Sequence, residues 1–545
     1  MTFKSPNWGV VLSSFCLFSS GLACIVDEYI LAQVSSNILG NPAEQWPIVI
    51  GLMLLATGIG VWFAQFIPAE KAITAFITIE VLLSLIGSFS PLIVMTAYAY
   101  MLIHFKLVFY LTSFTLGFLI GFEQPLIAVI NQRFVGFRSN ITMTLSLDAF
   151  GVAVGTILWV KCMVGVIPLQ YASFMVGSLN LLIAIITYLY LSRQTKINIP
   201  YATLGLIVLS LGLGFWGITN ADNIIATAEQ QLFTGKVIHS EDTRYQHVVL
   251  TKHPKTSHVM LFLNSGLQFC SADEERYHEN LVHPAMYIRN TLKKEQANKD
   301  SLQVLVLGGG DGLAIREIRK YPNVAEMSLV ELDPAITQLA KTEPHLLSLN
   351  DSSLFNKTLS TINRTSTLEV LHKDAYTYVE KAAQAGRKFD VILIDFPDPR
   401  NEALGKLYSK YFFHNIRLLL KQGGVVAIQA SSPVHVKQAY ICTGKTMTAA
   451  GLKVLPYHDN IPSFNHWGWY LAVNSEDDID LFGMAEQMYA QEAFEVPTKY
   501  LTPARFFANT IFGKDILKDS EDIEINTLMN QKIVYYYIKK GWWIY

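Results

Sequence analysis

Cysteine is scarce. The five cysteines (Cys16, Cys24, Cys162, Cys270, Cys442) are scattered among 545 residues, and no two stand at CxxC spacing. That excludes a disulfide framework and argues against a zinc ribbon. Basic excess is missing too. The net charge is -2, so no broad cationic face is available for nucleic acid. Charge of either sign is thin: 16% of residues are charged, against roughly 25% in an ordinary soluble domain. The shortage is local. Residues 1–220 hold 15 charged side chains, eight positive and seven negative, of 86 in the chain. One uniform soluble globule is therefore excluded, and so is a disordered chain, which would need high charge and few apolar residues.

What fills the front instead is apolar. Runs of about 18 or more apolar residues read as membrane-spanning helices. Seven such runs fall at roughly 8–31, 47–67, 72–90, 107–130, 144–164, 169–191 and 200–219, with 91–103 as an eighth or an extension of its neighbour. Residues 1–220 are thus expected to form a multi-pass helical domain in a lipid bilayer of the cell membrane. Lys4 before an apolar core resembles a signal peptide, but no clean cleavage site follows, so the segment reads as the first helix. Arg133, Arg138, Arg193 and Lys196 lie in the loops 131–143 and 192–199, which the positive-inside rule assigns to the cytoplasm. One further span then puts the rear half outside, whereas the chemistry below belongs in the cytoplasm. Asp27, Glu28, Glu80, Glu123 and Asp148 lie in or near apolar runs. They read either as a cation-binding cavity or as helix-end and paired structural acids.

Residues 220–234 read as a linker. Residues 235–272 alternate apolar and polar and predict a small antiparallel sheet. Ser271-Ala-Asp-Glu274 looks like a capping box opening a helix that carries Tyr277, His278 and His283. Leu302–Leu307 then reads as a buried strand running into Gly308-Gly-Gly-Asp-Gly312, a helix over Leu313–Tyr321 and a second strand ending at Glu331. Glycines there let the backbone approach a ligand. An acid at the end of the second strand suits the ribose hydroxyls of a nucleotide-like ligand. Two further strands end at Asp374 and Asp395, the latter within Asp395-Phe-Pro-Asp-Pro399. Ligands of open parallel sheets sit beyond the carboxyl ends of strands, so Asp311, Glu331, Asp374, Asp395 and Asp398 are expected to share one cleft. No histidine or cysteine cluster joins them, so no metal is expected, and a negative pocket suits a cationic substrate.

In combination and in order these pieces resemble the polyamine aminopropyltransferases, the spermidine synthases, over residues 235–475. The matching residues are Tyr245-Gln246, Gln268-Phe-Cys-Ser, Asp273–Glu279 with Tyr277 and His278, Gly308–Gly312, Val330-Glu-Leu-Asp333, Asp374, Asp395-x-x-Asp-Pro399, Leu407-Tyr408 and Tyr411–Phe413. The apolar front, Val496–Pro503 and Gly541-Trp542 resemble the membrane-fused branch of that family. The resemblance implies a methyltransferase-type Rossmann-like doubly wound sheet over 273–480, with a C-terminal extension over 481–545. It implies aminopropyl transfer from decarboxylated S-adenosylmethionine to putrescine, giving spermidine and 5′-methylthioadenosine, with no separate cofactor. Asp395 would be the proton acceptor, and Tyr277 and Asp398 would hold the acceptor amine. Gln246, His278, Asp311, Glu331, Asp374 and Ala375 would hold the donor. Homo-oligomers are common in the family. Ile461-Pro-Ser-Phe464 lacks the tyrosine hydroxyl often found there, and Phe396-Pro397 is bulky, so spermidine and agmatine stay open as acceptors. A methyltransferase on the same fold and a polyamine transporter or sensor are the rival readings. Trp467, Trp469, Trp542 and Trp543 read as packing or interfacial residues, His283 as a capping or core histidine, and Lys293–Lys299 as a solvated loop.

Overall fold

The computed structural model describes residues 8–39, 42–101, 103–195, 200–295, 301–355, 366–518 and 521–540. Lys4, Lys196 and Gly541–Trp543, singled out above, lie outside them. The chain divides into two compact units, Met1–His247 and Val248–Tyr545.

The first unit is built of helices α1 (Trp8–Leu39), α2 (Pro42–Ala64), α3 (Ala72–Tyr100), α4 (Phe105–Asn131), α5 (Phe137–Leu158), α6 (Leu169–Thr195) and α7 (Tyr201–Leu232). Among the described residues these give seven segments long and apolar enough to cross a membrane. Residues 91–100 extend α3 rather than forming another span. Pro91 removes one backbone donor, and the Ser90 hydroxyl replaces it by donating to the Gly87 carbonyl at 2.9 Å, so the helix continues. The polarity of the unit is inverted. Leu55, Leu145 and Phe215 are exposed while Ser20, Asp27, Glu80 and Glu123 are buried. The expected linker 220–234 is instead largely helical. Its first dozen residues contain no glycine or proline to stop α7, which runs on to Leu232. A short strand, β1 (Lys236–Asp242), follows, and Gln246 lies on the turn after it, its backbone paired with Thr243.

In the second unit β2 (His247–Lys252), β3 (Val259–Leu263) and β4 (Gly266–Cys270) pair antiparallel. Val248, Leu250, Leu261 and Phe269 face Leu313, Ile336 and Leu339. After helix α8 (Glu274–Glu295) come β5 (Leu302–Gly308), β6 (Val324–Glu331), β7 (Thr367–His372), β8 (Phe389–Asp395), β9 (Leu420–Gln429), β10 (Lys453–Ile461) and β11 (Asn465–Asn474). They form one sheet in the order β10-β11-β9-β8-β5-β6-β7. The five strands β5 to β9 are parallel, and the inner ones, β5 and β8, are apolar and buried at their centres, as strands covered on both faces must be. β11 runs antiparallel to β9 and to β10, so the sheet is mixed. The chain leaves β5 on one side for β6 and β7 and returns on the other for β8 and β9. That reversal opens a crevice beyond the carboxyl end of β5.

Helix α8 brings Tyr277 and His278 to this crevice, and buried charge pins it. Asp390 on β8 accepts from Arg289 Nη2 and Lys421 Nζ, each at 2.8 Å, and from the Gln303 N–H at 2.9 Å. Burial pushes the Asp390 carboxyl up, but Lys421, the Gln303 N–H and Arg289 outweigh it and hold the group below the usual range. Lys293 is buried 3.8 Å from the same carboxylate. The expectation of a solvated loop from Lys293 is thus corrected for that residue, because α8 continues to Glu295. The capping box is corrected too. The helix starts at Glu274, the Ser271 hydroxyl accepts from Val259 N–H, and Glu274 turns inward to Arg316. His283 is a core residue, bonded to Glu317 and Tyr321 at 2.9 Å each.

Asp390→Asn leaves Arg289 buried without its counter-charge. Such a broken pair costs about 3–5 kcal/mol, so the urea unfolding midpoint of the second unit is expected to fall accordingly, read by circular dichroism on the purified full chain.

Candidate active site

Gly308, Gly309 and Gly312 all have positive φ, at +79°, +71° and +83°. Space demands glycine as well: a Cβ on Gly308 would lie 2.2 Å from the Asp395 carbonyl, and one on Gly310 would lie 2.7 Å from the Glu331 side chain. Strand register explains the first approach, since Gly308 and Asp395 are direct partners on β5 and β8. The turn therefore brings Asp311, Glu331 and Asp395 to one edge.

Glu331 accepts from Gly310 N–H at 3.1 Å and from Asp333 N–H at 3.0 Å. Burial lifts its carboxyl to about 7, against the lowering effect of those backbone donors. Asp311 accepts from Leu313 N–H at 2.9 Å. Burial carries it to about 6, with His278 pulling down and Asp395 pushing up. His278 meets Glu274 at 2.9 Å, and Glu274 is itself paired with Arg316 at 2.7 Å. Burial alone would lower the imidazole, but Glu274 wins and lifts it to about 9. A protonated histidine thus faces Asp311 and Asp395. The Tyr277 hydroxyl donates to Asp395 Oδ1 at 2.5 Å. Burial raises the Asp395 carboxyl, and His278 and Tyr277 restrain the rise. Tyr277 is walled by Trp469 and Phe464, with ring centroids at 5.6 and 6.2 Å. Trp467 and Trp469 are buried packing residues.

Asp374 stands at the end of β7 and caps the following helix through Tyr376 N–H at 3.2 Å. It pairs with Lys406 at 3.3 Å, and Ala375 beside it is buried. Gln246 lies in the first unit. Asp398 sits deeper. Its Oδ1 accepts from Ser431 at 2.5 Å and its Oδ2 from the Tyr537 hydroxyl at 2.8 Å. Gln429 donates to the Phe396 carbonyl at 2.5 Å and Tyr408 to the Pro397 carbonyl at 3.1 Å. These bonds fix the whole Asp395–Asp398 segment. Sequence reading missed Ser431, Gln429, Tyr408 as a tether, and Tyr537. The signals were faint: Ser431 follows the end of a buried strand in a positive-φ position, and Tyr535–Tyr537 is a run of three tyrosines near the end of the chain. Glu279, His283 and Glu317 bring ligand atoms within 4.8 Å of one another. Their oxygens and nitrogens already serve Tyr321, Lys320 and the backbone of Lys499–Leu501, a structural network.

The family model for the spermine/spermidine synthase domain matches residues 274–482. A polyamine aminopropyltransferase of Leptospira interrogans is 34% identical over 96% of this chain and 97% of its own length. The chain belongs to the polyamine aminopropyltransferase family. The polyamine aminopropyltransferase of Oceanobacillus iheyensis is 34% identical over 97% of this chain and 98% of its own, and polyamine aminopropyltransferase 2 of Aquifex aeolicus is 31% identical over 96% and 98%. The similarity therefore includes the helical unit. A solved spermidine synthase in complex with the transition-state analogue AdoDATO aligns with 52% of this chain and 87% of its own, at 22% identity and a TM-score of 0.42.

For a member of this family the Tyr537 contact is informative. Hydrogen bonds to charged groups contribute about 1.5–3 kcal/mol. Tyr537→Phe is expected to raise the KM for the amine acceptor about tenfold or more while the donor KM stays unchanged, measured by steady-state kinetics on the purified protein.

Proposed function

We propose that this chain transfers the 3-aminopropyl group of decarboxylated S-adenosylmethionine to putrescine, releasing spermidine and 5′-methylthioadenosine. The observation that carries the reading is Asp395: a buried carboxylate held by Tyr277 against the glycine turn, within the field of a protonated His278. The donor is a sulfonium, so its propyl carbon is already electrophilic and its leaving group is neutral. The acceptor amine is the obstacle. With a pKa near that of lysine, about 10.4, only about one molecule in a thousand is unprotonated at neutral pH. Asp395 takes the ammonium proton and directs the lone pair, with Tyr277 fixing the carboxylate. Carbon–nitrogen bond formation breaks the carbon–sulfur bond, and the sulfur keeps the electron pair. Alignment of the two substrates contributes much of the acceleration.

In this reading Glu331 binds the donor ribose and Asp374 with Ala375 the adenine side, while Asp311 receives the aminopropyl ammonium. His278 opposes the rise that burial imposes on Asp311 and Asp395. Asp398 holds the distal ammonium of the acceptor. Ser431 and, at 3.5 Å, Gln429 serve its Oδ1, and Tyr537 serves its Oδ2, which leaves one lone-pair direction for an ammonium. The hydroxyl missing at Phe464 has a counterpart in Tyr537, which favours a diamine such as putrescine. The inverted polarity of the helical unit supports insertion in the cell membrane as a multi-pass domain. Loop charge and substrate chemistry favour opposite orientations, and the substrates decide for a cytoplasmic catalytic unit, since four cationic loop residues are a small bias.

Product analysis of the purified protein with decarboxylated donor and a panel of di- and triamines tests the assignment. Spermidine is expected from putrescine, and methyl transfer from intact S-adenosylmethionine would overturn it. Asp395→Asn is expected to lower kcat by 10²–10⁴-fold, the range for a lost general base, with donor affinity retained. The pH profile follows from the site. Glu331 has a raised value near 7, so its carboxylate, and donor binding with it, is lost as pH falls through about 7. His278 loses its charge as pH rises through about 9. Donor kcat/KM is therefore expected to trace a bell with limbs near these two values.

A further inference from the structure

The helical unit holds a second set of buried acids that aminopropyl transfer does not use. Asp27 of α1, Glu80 of α3 and Glu123 of α4 are 2%, 0% and 2% exposed. The Ser20 hydroxyl donates to Glu123 Oε2, and the Glu80 and Glu123 carboxyls lie within hydrogen-bond reach of each other. Yet neither oxygen of Glu80 and not Oδ1 of Asp27 has a donor. As carboxylates, Glu80 and Glu123 only accept, so the contact between them is a bond that lacks its hydrogen. The groups facing the trio are Cys16, Cys24 and Glu28 of α1 and Asp148 of α5, none of them basic. No lysine, arginine or histidine is ion-paired with these acids among the described residues.

A buried acid without a counter-charge is too costly to stay ionised, so something positive must occupy the site. A proton shared between the two carboxyls supplies the missing hydrogen with no further ligand, whereas a metal held by all three acids would need them to converge. Among the described residues the only three-residue group with ligand atoms within 4.8 Å of one another is Glu279, His283 and Glu317, in the other unit. Ser13, Ser20 and Asp27 recur every seven residues on one face of α1, over about 21 Å at 1.5 Å per residue. Ser13 donates to Asn131 and Asn131 to Asn140, each at 2.8 Å. Beside Ser13 lies a small, mostly apolar cavity of about 20 Å³ lined by Leu12, Cys16, Phe76, Ile127 and Thr187.

We infer that Asp27, Glu80 and Glu123, with Ser20, form a proton-binding site inside the helical unit. The unit then has a proton-linked function separate from the transfer reaction. The inference draws on the membrane reading above, but its test does not depend on it. Infrared spectra of the full-length protein in detergent are compared with those of Glu80→Gln and Glu123→Gln. Each wild-type-minus-variant spectrum is expected to show a protonated-carboxyl band at pH 7 that shifts in deuterium oxide and fades at high pH. Unchanged helix content and aminopropyl transfer confirm that the variants fold. Absence of the band overturns the proposal. So does its loss on adding sodium, magnesium or putrescine, which would make the occupant a cation rather than a proton. Alkaline-carbonate extraction of membranes separately tests whether the unit is inserted.

Discussion

In the proposed reaction the Asp395 carboxylate has to be buried deeply enough to hold its substrate dry, yet stay ionised enough to accept a proton, and the side chains around it bear on that conflict. Burial pushes its carboxyl up, and the counterweight is a chain of charge: Arg316 holds Glu274, Glu274 lifts His278, and His278 faces Asp395 and Asp311. Each link is buried, so each is worth more than it would be in water and each costs more if its partner is removed. Helix α8 carries three of the relevant side chains, Glu274, Tyr277 and His278, and the Arg289–Asp390 pair fixes that helix to the strand that ends at Asp395. The pocket is therefore positioned by the same strand from both of its ends.

Much of this was readable from residue order. The run Leu302–Leu307 followed by four glycines in five residues requires a strand and a tight turn, because a Cβ at Gly308 or Gly310 would collide with Asp395 or Glu331. Acids at the ends of successive parallel strands necessarily share one edge, since parallel strands end on the same side. Side-chain tethers were not readable. Tyr537 reaches Asp398 across 139 residues, and no periodicity links two such positions. Ser271 shows the converse failure. Its spacing to Glu274 fits a capping box, but a strand N–H at Val259 and a buried arginine compete for the two side chains and win. Helix ends failed for a similar reason: α7 and α8 outrun the apolar pattern because polar residues without glycine or proline continue a helix readily.

The surroundings of Asp398 show how a distant part of the chain can supply a polar partner. Phe464 lacks a hydroxyl and turns to packing, against Tyr277 and Trp467. The hydroxyl next to Asp398 instead comes from the helix Lys532–Lys540, beyond the segment matched by the family model. That helix is held by Ile533 and Val534 in the same apolar cluster as Phe396 and Phe412. Packing and polar recognition are thus coupled there, and a change in the tail would be felt at the carboxylate.

The two units solve the problem of buried acid in opposite ways. In the rear, Asp390, Glu274 and Glu317 each meet arginine, lysine or histidine, and their carboxyls are held below the usual range. In the front, Asp27, Glu80 and Glu123 meet a serine, one another and apolar helices. The difference follows from composition, since the six basic residues among the described part of the first 220 fall in loops or near helix ends. Structural acids in a helical bundle are ordinarily satisfied by such partners, or replaced by apolar residues at little cost. Retaining three where nothing neutralises them is a poor way to build stability, and that imbalance is the physical reason to assign the group a ligand rather than a packing role.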